Sequence, residues 1–414
     1  MKDDDRARTH DVVVFGATGF VGRLVAAHLA SHAPSRVRVA LAGRSQSRLA
    51  EVRHGLGARA AGWPLLVVDA AVDAAAVDAM AACSRVVATT VGPYARDGLH
   101  VVGACARAGT DYVDLTGEVL FVRDSIDGHH DTAVTTGARI VHSCGFDSVP
   151  SDLSVMLAAR AAAADGAGVL AWATLVLRSA SGGMSGGTVD SLRVQLDELA
   201  GDPARAPIVD DPYALSPHRA AEADPGREPD AARPRWDPQL RAWTGPFVMA
   251  PYNTRIVRRS NALQGWTYGR RLRYREVVGF GRAWTAPVLA TVMAVGTAAA
   301  LGAMRVGPVR AVLDRLLPAP GEGPDPRQQE RGHFRFDLHA ATVTGARYRV
   351  TFAAQGDPGY AATSVMLGES ALALVVDRAA LPEAAGVLTP ATGIGAVLAD
   401  RLRAAGFEIA VDRA

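Results

Sequence analysis

The chain has 414 residues, 49% of them hydrophobic and 21% charged, with a formal net charge of +2. That length suits two or three domains with cores of their own. So balanced a charge argues against a polyanion, so no nucleic-acid partner is expected. The three cysteines, Cys83, Cys105 and Cys144, offer neither a disulfide framework nor a metal-ligand spacing. No metal is expected, and a reducing, cytoplasmic setting is.

The N-terminus, Met1 to Arg6, is charged and has no apolar stretch, which argues against a secretory signal. The first structured segment is Asp11-Val12-Val13-Val14-Phe15, an apolar run of strand length. It leads into Gly16-Ala17-Thr18-Gly19-Phe20-Val21-Gly22 and then a helical run from Arg23. Strand, glycine loop and helix in that order form the dinucleotide-binding signature, here spaced GxxGxxG. Gly16 would turn the chain off the strand, Gly19 would admit a pyrophosphate, and Gly22 would let the helix approach the sheet. Thr18 and Phe20 share that loop, whose helix start favours phosphate charge. The alternative is a purely structural strand-to-helix turn.

A second strand, Arg36 to Ala42, ends in Gly43-Arg44-Ser45. NAD-binding chains usually place a carboxylate there; a guanidinium and a hydroxyl suit a 2′-phosphate, which favours NADP(H). Arg44 as an exposed neighbour of a helix cap is the plainer alternative. A third strand, Leu65 to Asp69, places Asp69 toward the adenine side. A helix over 74–83 and a fourth strand, Arg85 to Val91, follow. Gly92 and Pro93 after that strand are expected to wall the ribose and nicotinamide, because ligands sit beyond the carboxyl ends of such strands. A helix from Leu99 to Ala108, a strand Asp111 to Leu115 and a strand Arg139 to Ser143 complete the first domain. Such repeats predict a doubly wound parallel sheet over residues 1–150.

Polar residues collect at its ligand edge: Tyr94, Asp147 and Ser148, with Asp114 and Glu118 near. Tyr94 covering a sheet edge, and Asp147 and Ser148 capping the helix near Pro150, are the structural alternatives.

The pattern changes after Gly168. A strand over 169–178, strands over 272–278, 334–342 and 346–353, and a hairpin turn at Val343-Thr344-Gly345 predict a second, α+β domain over 151–360 with a mostly antiparallel sheet. The loop Ser181 to Thr188 reads as a hinge, lid or phosphate nest before a helix to Ala200. Residues 201–238 read as a surface excursion. The stretch Pro246 to Arg255 brings Tyr252, Asn253 and Arg255 together, a set suited to a substrate carbonyl or carboxylate. Helices over 360–376 and 393–404 form a C-terminal segment, 361–414, expected to pack on both domains.

Residues 284–304 carry no charge and lie between Arg282 and Arg305. They are long enough to span a bilayer but lean on Ala, Gly and Thr. A helix lying on a membrane surface, or packed over an apolar substrate channel, is expected; burial at a homodimer interface is the alternative.

Several runs together resemble the saccharopine dehydrogenase-like oxidoreductases. They are Phe15 to Gly22, Ala42 to Ser45, Thr90 to Tyr94, Asp114 to Glu118, Cys144 to Asp152, Gly182 to Thr188, Asn253 to Ser260 and Gly359-Tyr360. The chain is most similar to their actinobacterial branch, the trans-acting enoyl reductases. The run Cys144-Gly145-Phe146-Asp147-Ser148-Val149-Pro150-Ser151-Asp152 is the most specific of these features. The resemblance implies NADPH/NADP+ as cofactor and reduction of the double bond of a carrier-bound polyketide or fatty-acyl thioester, in lipid or glycolipid synthesis. It implies a carrier protein or synthase as partner and a cytoplasmic location, peripheral on the inner face of the plasma membrane. For such a reaction Tyr94 is the expected donor or acid. Asp147 would orient, being ionised at neutral pH, and Tyr252, Asn253 and Arg255 would position the thioester. An imine-forming amino-acid dehydrogenase, and an NADP-binding protein without turnover, are the rival readings.

Overall fold

The structure is a computed structural model that describes residues 8–182, 186–223, 233–304 and 331–414. Strands β1 (His10–Phe15) and β2 (Val39–Gly43) are buried along their whole length. Continuous apolar runs of this kind belong in a parallel sheet covered on both faces. With β3 (Leu65–Val67), β4 (Ser84–Thr89), β5 (Asp111–Val113), β6 (Arg139–Val141) and β13 (Gly386–Leu388) they make a seven-stranded sheet of order β13-β6-β5-β4-β1-β2-β3. Every pairing in it is parallel. Alternate side chains of β1 feed two cores: Val12 and Val14 join one, Val13 and Phe15 the other.

The connecting helices are α1 (Phe20–His32), α2 (Gln46–Gly55), α3 (Ala74–Ala82), α4 (Tyr94–Ala108) and α5 (Val119–Thr136). Two depart from the sequence expectations. α5 was not foreseen, and α4 starts at Tyr94 rather than Leu99. The early start has a long-range cause: the Glu118 carboxylate accepts from the backbone N–H of Tyr94 (3.1 Å) and of Ala95 (2.8 Å). It caps a helix that begins 24 positions upstream.

The second sheet has the order β14-β12-β11-β7-β10-β9-β8. Its strands are β7 (Leu170–Ser181), β8 (Arg235–Asp237), β9 (Ala242–Pro246), β10 (Arg273–Gly281), β11 (His333–Thr342), β12 (Arg347–Gln355) and β14 (Glu408–Arg413). Only the β7–β10 pair is parallel; the other pairs are antiparallel. α6 (Val149–Ala164) leads from the first sheet to the second. α7 (Gly186–Gly201), the short α8 (Ala206–Asp210) and α9 (Ala250–Leu263) complete the second unit around the cleft. Residues 183–185 of the expected glycine lid lie outside the described residues. Part of the 201–238 excursion is ordered into α8 and β8.

Residues 361–414 do more than pack as helices: they add an edge strand to each sheet, β13 and β14. The helix Thr363–Val376 lies against α1, and buried Glu369 fastens it by pairing with His28 Nε2 (2.7 Å) and Arg401 Nη1 (2.7 Å). With the turn before it, Pro358–Val376 is apolar and long enough to cross a membrane, yet 72% of it is buried inside the protein. It serves as a core helix here.

Candidate functional site

The first and second units enclose a cleft of about 910 Å³ at the carboxyl edge of the parallel sheet. It opens where the strand order reverses between β1 and β4, the place such sheets use for ligands. Gly16, Thr18, Gly19, Phe20, Arg44, Asp69, Gly92, Pro93, Tyr94, Asp147 and Tyr252 all line it. Gly22, Ser45, Asn253 and Arg255 do not.

The glycine turn is built around one carbonyl. Gly16 sits at φ +89°, and a Cβ there would stand 2.7 Å from Thr90 Oγ1. A Cβ on Gly22 would stand 2.1 Å from the Gly16 carbonyl oxygen, so Gly22 is needed for the turn and not for the ligand. α1 then starts with Gly19 as its N-cap and no side chain capping it. Its first N–H groups are left for an anion. Arg44 and Arg48 line the far end of the cleft with exposed side chains, and Arg23 lines it while donating to Thr18 O (3.0 Å). Ser45 caps α2 by accepting from Arg48 N (3.4 Å). Its hydroxyl therefore serves the helix, and Arg48, four positions beyond Arg44, is the second cation that sequence reading missed. Asp69 lies two residues beyond β3, one oxygen accepting from Ala71 N (3.1 Å). The donor set thus fits a dinucleotide: an uncapped helix start for the diphosphate, and guanidinium groups where β2 ends.

The polar residues divide sharply at the other end. Tyr94 is buried, and its hydroxyl donates to Thr89 O (3.3 Å) and accepts from Leu115 N (3.1 Å). Burial, and next the charge of Asp114, push its pKa well above the phenol range. Both bonding directions of the hydroxyl are thus used by backbone, contrary to the role of donor or acid expected for it. Asn253 is fully buried, accepting from Ser148 Oγ (2.9 Å) and donating to Glu276 Oε2 (2.9 Å). Arg255 reaches backbone carbonyls of Pro251 and Val209 and ties α9 to α8. Neither lines the cleft, because α9 is buried along nearly all its length and turns these side chains inward.

Tyr252 and Asp147 remain. Tyr252 faces the cleft, and its hydroxyl is hydrogen-bonded to Ser143 Oγ. Ser143 is a non-glycine residue at φ +66°, held there by donating its N–H to Asp114 Oδ1 (2.8 Å). Such a backbone is costly and marks a position under constraint. Asp114 also meets His142 Nδ1 (2.7 Å), and His142 Nε2 meets Ser125 Oγ (2.8 Å). That Ser–His–Asp array is buried and lines no part of the cleft. Its visible work is to anchor the loop that carries Ser143. Burial first, opposed by Ser143, raises the Tyr252 pKa well above its ordinary value, so it stays a neutral donor.

Asp147 lies on the run Cys144 to Asp152, and the two carboxylates of that run have opposite fates. Asp152 turns inward, accepting from Ser260 Oγ and from Ala391 N (2.8 Å). Asp147 turns into the cleft, and no hydrogen-bond or ion-pair partner meets it among the described residues. Burial alone pushes its pKa up to about 6. A carboxyl of that pKa is still mostly ionised at pH 7, as expected, but about a tenth of it carries a proton there and about half near pH 6. Leu196 and Leu199 of α7, with Val209, Val248 and Met249, give the lining an apolar share, beside the polar Ser191, Gln195 and Asp210.

A Rossmann-type parallel sheet, a glycine turn with guanidinium groups and a cleft walled by α7, α8 and the start of α9 define an NADP-binding oxidoreductase. The comparisons agree and narrow the class. Residues 12–141 match the family model described as the saccharopine dehydrogenase NADP binding domain. The chain is 49% identical to the trans-acting enoyl reductase of Mycobacterium tuberculosis and 48% identical to that of Mycobacterium ulcerans, over 98% of each chain in both cases. It belongs to the saccharopine dehydrogenase-like oxidoreductases, in the group of the actinobacterial trans-acting enoyl reductases. Apo saccharopine dehydrogenase (L-Glu forming) from Saccharomyces cerevisiae shares its fold, with a TM-score of 0.53 at 14% identity, over 98% of this chain and 100% of that one.

Proposed function

We propose that this protein is an NADPH-dependent enoyl reductase that acts in trans on a carrier-bound polyketide or fatty-acyl thioester in lipid or glycolipid synthesis. The observation that carries the reading is the continuity of one cleft. One lining joins Arg44 and Arg48, the glycine turn, Asp147 and Tyr252, with Leu196, Leu199, Val248 and Met249 among its residues. Relatives of about half identity that bear the enoyl reductase name support it. Against the imine-forming alternative stands Arg255, which meets backbone carbonyls in place of a substrate carboxylate.

The first turn of α1 would hold the diphosphate, Arg44 and Arg48 the 2′-phosphate, and Asp69 the adenosine ribose side. NADPH held by these residues would supply the hydride for the β-carbon. Tyr252, kept neutral by burial and aimed by Ser143, donates to the thioester oxygen as negative charge gathers on it. Asp147 delivers the proton that completes the α-carbon. Leu196, Leu199, Val248 and Met249 exclude water from the acyl chain.

Incubation with NADPH and carrier-bound enoyl substrates of varied chain length tests the reading. Cofactor oxidation matched by saturated thioester is the expected result. Binding of NADPH with no turnover on any enoyl thioester would reject it. The 2′-phosphate assignment has its own test. Arg44→Ala is expected to reduce the preference for NADPH over NADH by about 10- to 100-fold, the worth of one charge-assisted contact, as measured by nucleotide titration. An unchanged preference would move the phosphate site elsewhere.

Tyr94→Phe separates structure from chemistry. It strands the Leu115 N–H and the Thr89 carbonyl, so a stability loss of about 1–3 kcal/mol is expected, read by thermal melting. Turnover of the folded enzyme should change less than tenfold. A loss of several hundredfold would restore Tyr94 to the chemistry.

A further inference from the structure

We propose that the helix α10 (Ala286–Ala303) docks this protein onto an anionic membrane surface. α10 packs on β9 and β10, and it presents Ala286, Ala290 and Ala294 to them at four-residue spacing. Its opposite side carries Val288, Val292 and Val295, with Leu289 beside them, exposed by 59%, 65%, 62% and 53%. Trp284, just before the helix, is 86% exposed. A monomer in water gains nothing from displaying such a stripe, so the face is built for a partner.

The rim identifies the partner. Trp284 stands at one end, and Trp236, 45% exposed, lies on β8 with its ring against Trp243. Tryptophan favours the boundary between apolar and wet phases, where its ring is buried and its N–H is solvated. Arg241 and Arg282 are exposed at the same end, with Arg282 Nε donating to Arg241 O (2.8 Å). No carboxylate pairs with either among the described residues, and none occurs in the run 282–304. An apolar stripe edged by tryptophan and arginine matches lipid with anionic headgroups. A second copy of the chain matches it poorly. An isologous contact pairs the patch with itself, and the patch holds no carboxylate to meet its arginines. The cleft does not use this face, since no residue of α10 lines it. The helix therefore lies on the bilayer beside the active unit and does not cross it.

Flotation with phosphatidylcholine vesicles, with and without phosphatidylglycerol, tests this on the full chain. Wild type should bind the anionic vesicles about tenfold better than the neutral ones, and Arg241→Gln with Arg282→Gln should erase that difference. Val288→Asp with Val292→Asp should abolish binding to both. In the unsubstituted protein, brominated lipid should quench part of the tryptophan emission, and Trp284→Phe should remove most of that quenching; this reading does not depend on a variant that tolerates two aspartates. Failure of the wild type to float would overturn the proposal. So would flotation that survives the two aspartates in a normally melting protein. A dimer in solution that the aspartates split, with no vesicle binding, would assign the face to a second copy instead.

Discussion

Asp147→Asn should lower kcat for enoyl thioester reduction by about 100- to 1,000-fold, within the usual worth of a positioned general acid, while making the protein more stable. The two effects share one cause. Asp147 faces the cleft with no partner among the described residues, and burial lifts its pKa from 3.8 to about 6. In the folded state the carboxylate therefore binds its proton more tightly than in the unfolded chain. Its favourable contribution is complete below the unfolded value of 3.8 and is lost as pH rises through about 6. Asparagine does not titrate and carries no charge to desolvate. The variant should thus gain about 1–2 kcal/mol above pH 6, allowing for water in the cleft. The gain should vanish near pH 4. Melting curves at several pH values measure it. The same proton governs rate: kcat/KM of the wild type should fall about tenfold per unit above pH 6, and this limb should be absent from the residual activity of the variant. A variant that keeps wild-type turnover would remove Asp147 from the chemistry. One that loses turnover and stability together would make it a structural group.

Gly22→Ala should weaken NADPH binding by roughly 10- to 100-fold or more, through overpacking worth about 1–3 kcal/mol. The added Cβ would lie 2.1 Å from the Gly16 oxygen, 2.8 Å from Gly16 C and 3.0 Å from Ala17 Cα. All three are backbone atoms, so no side chain can swing away. The turn itself has to move, and the N–H groups that hold the diphosphate move with it. Gly19→Ala, whose Cβ would stand 3.3 Å from the same oxygen, should have a smaller effect. Gly55→Ala meets nothing within 4 Å and serves as the control. Titration of cofactor fluorescence ranks the three. Equal affinities would mean that the turn does not set the nucleotide site.

The residues of this chain allow a clear separation of what local pattern carries and what it does not. The apolar runs of β1 and β4, the glycine spacing and the small-residue helices express short-range rules: periodicity, chain reversal and close approach. They determine a Rossmann sheet and a nucleotide turn without help from the rest of the molecule. The antiparallel β11–β12 hairpin at Gly345 was legible in the same way, since φ +90° there suits glycine. The Gly386–Leu388 edge strand was not, because three residues carry no periodicity and their partner, β6, is far back in the chain. Nor was the start of α4, which is capped by a carboxylate 24 positions downstream.

The site repeats that division at the level of single side chains. Tyr94, Asp147, Tyr252, Asn253 and Arg255 have the right chemistry in the sequence, but the fold brings only Tyr94, Asp147 and Tyr252 to the cleft. Which of them has a free polar atom depends on neighbours distant in sequence. Leu115 and Thr89 occupy the hydroxyl of Tyr94, Glu276 and Ser148 occupy the amide of Asn253, and Val209 takes a guanidinium arm of Arg255. Residue type by itself determined that this chain holds a dinucleotide turn and a stock of acids and donors nearby. Only tertiary structure decided that Asp147 and Tyr252 meet the cleft, because a hydrogen bond is spent by whichever partner the fold brings within 3 Å.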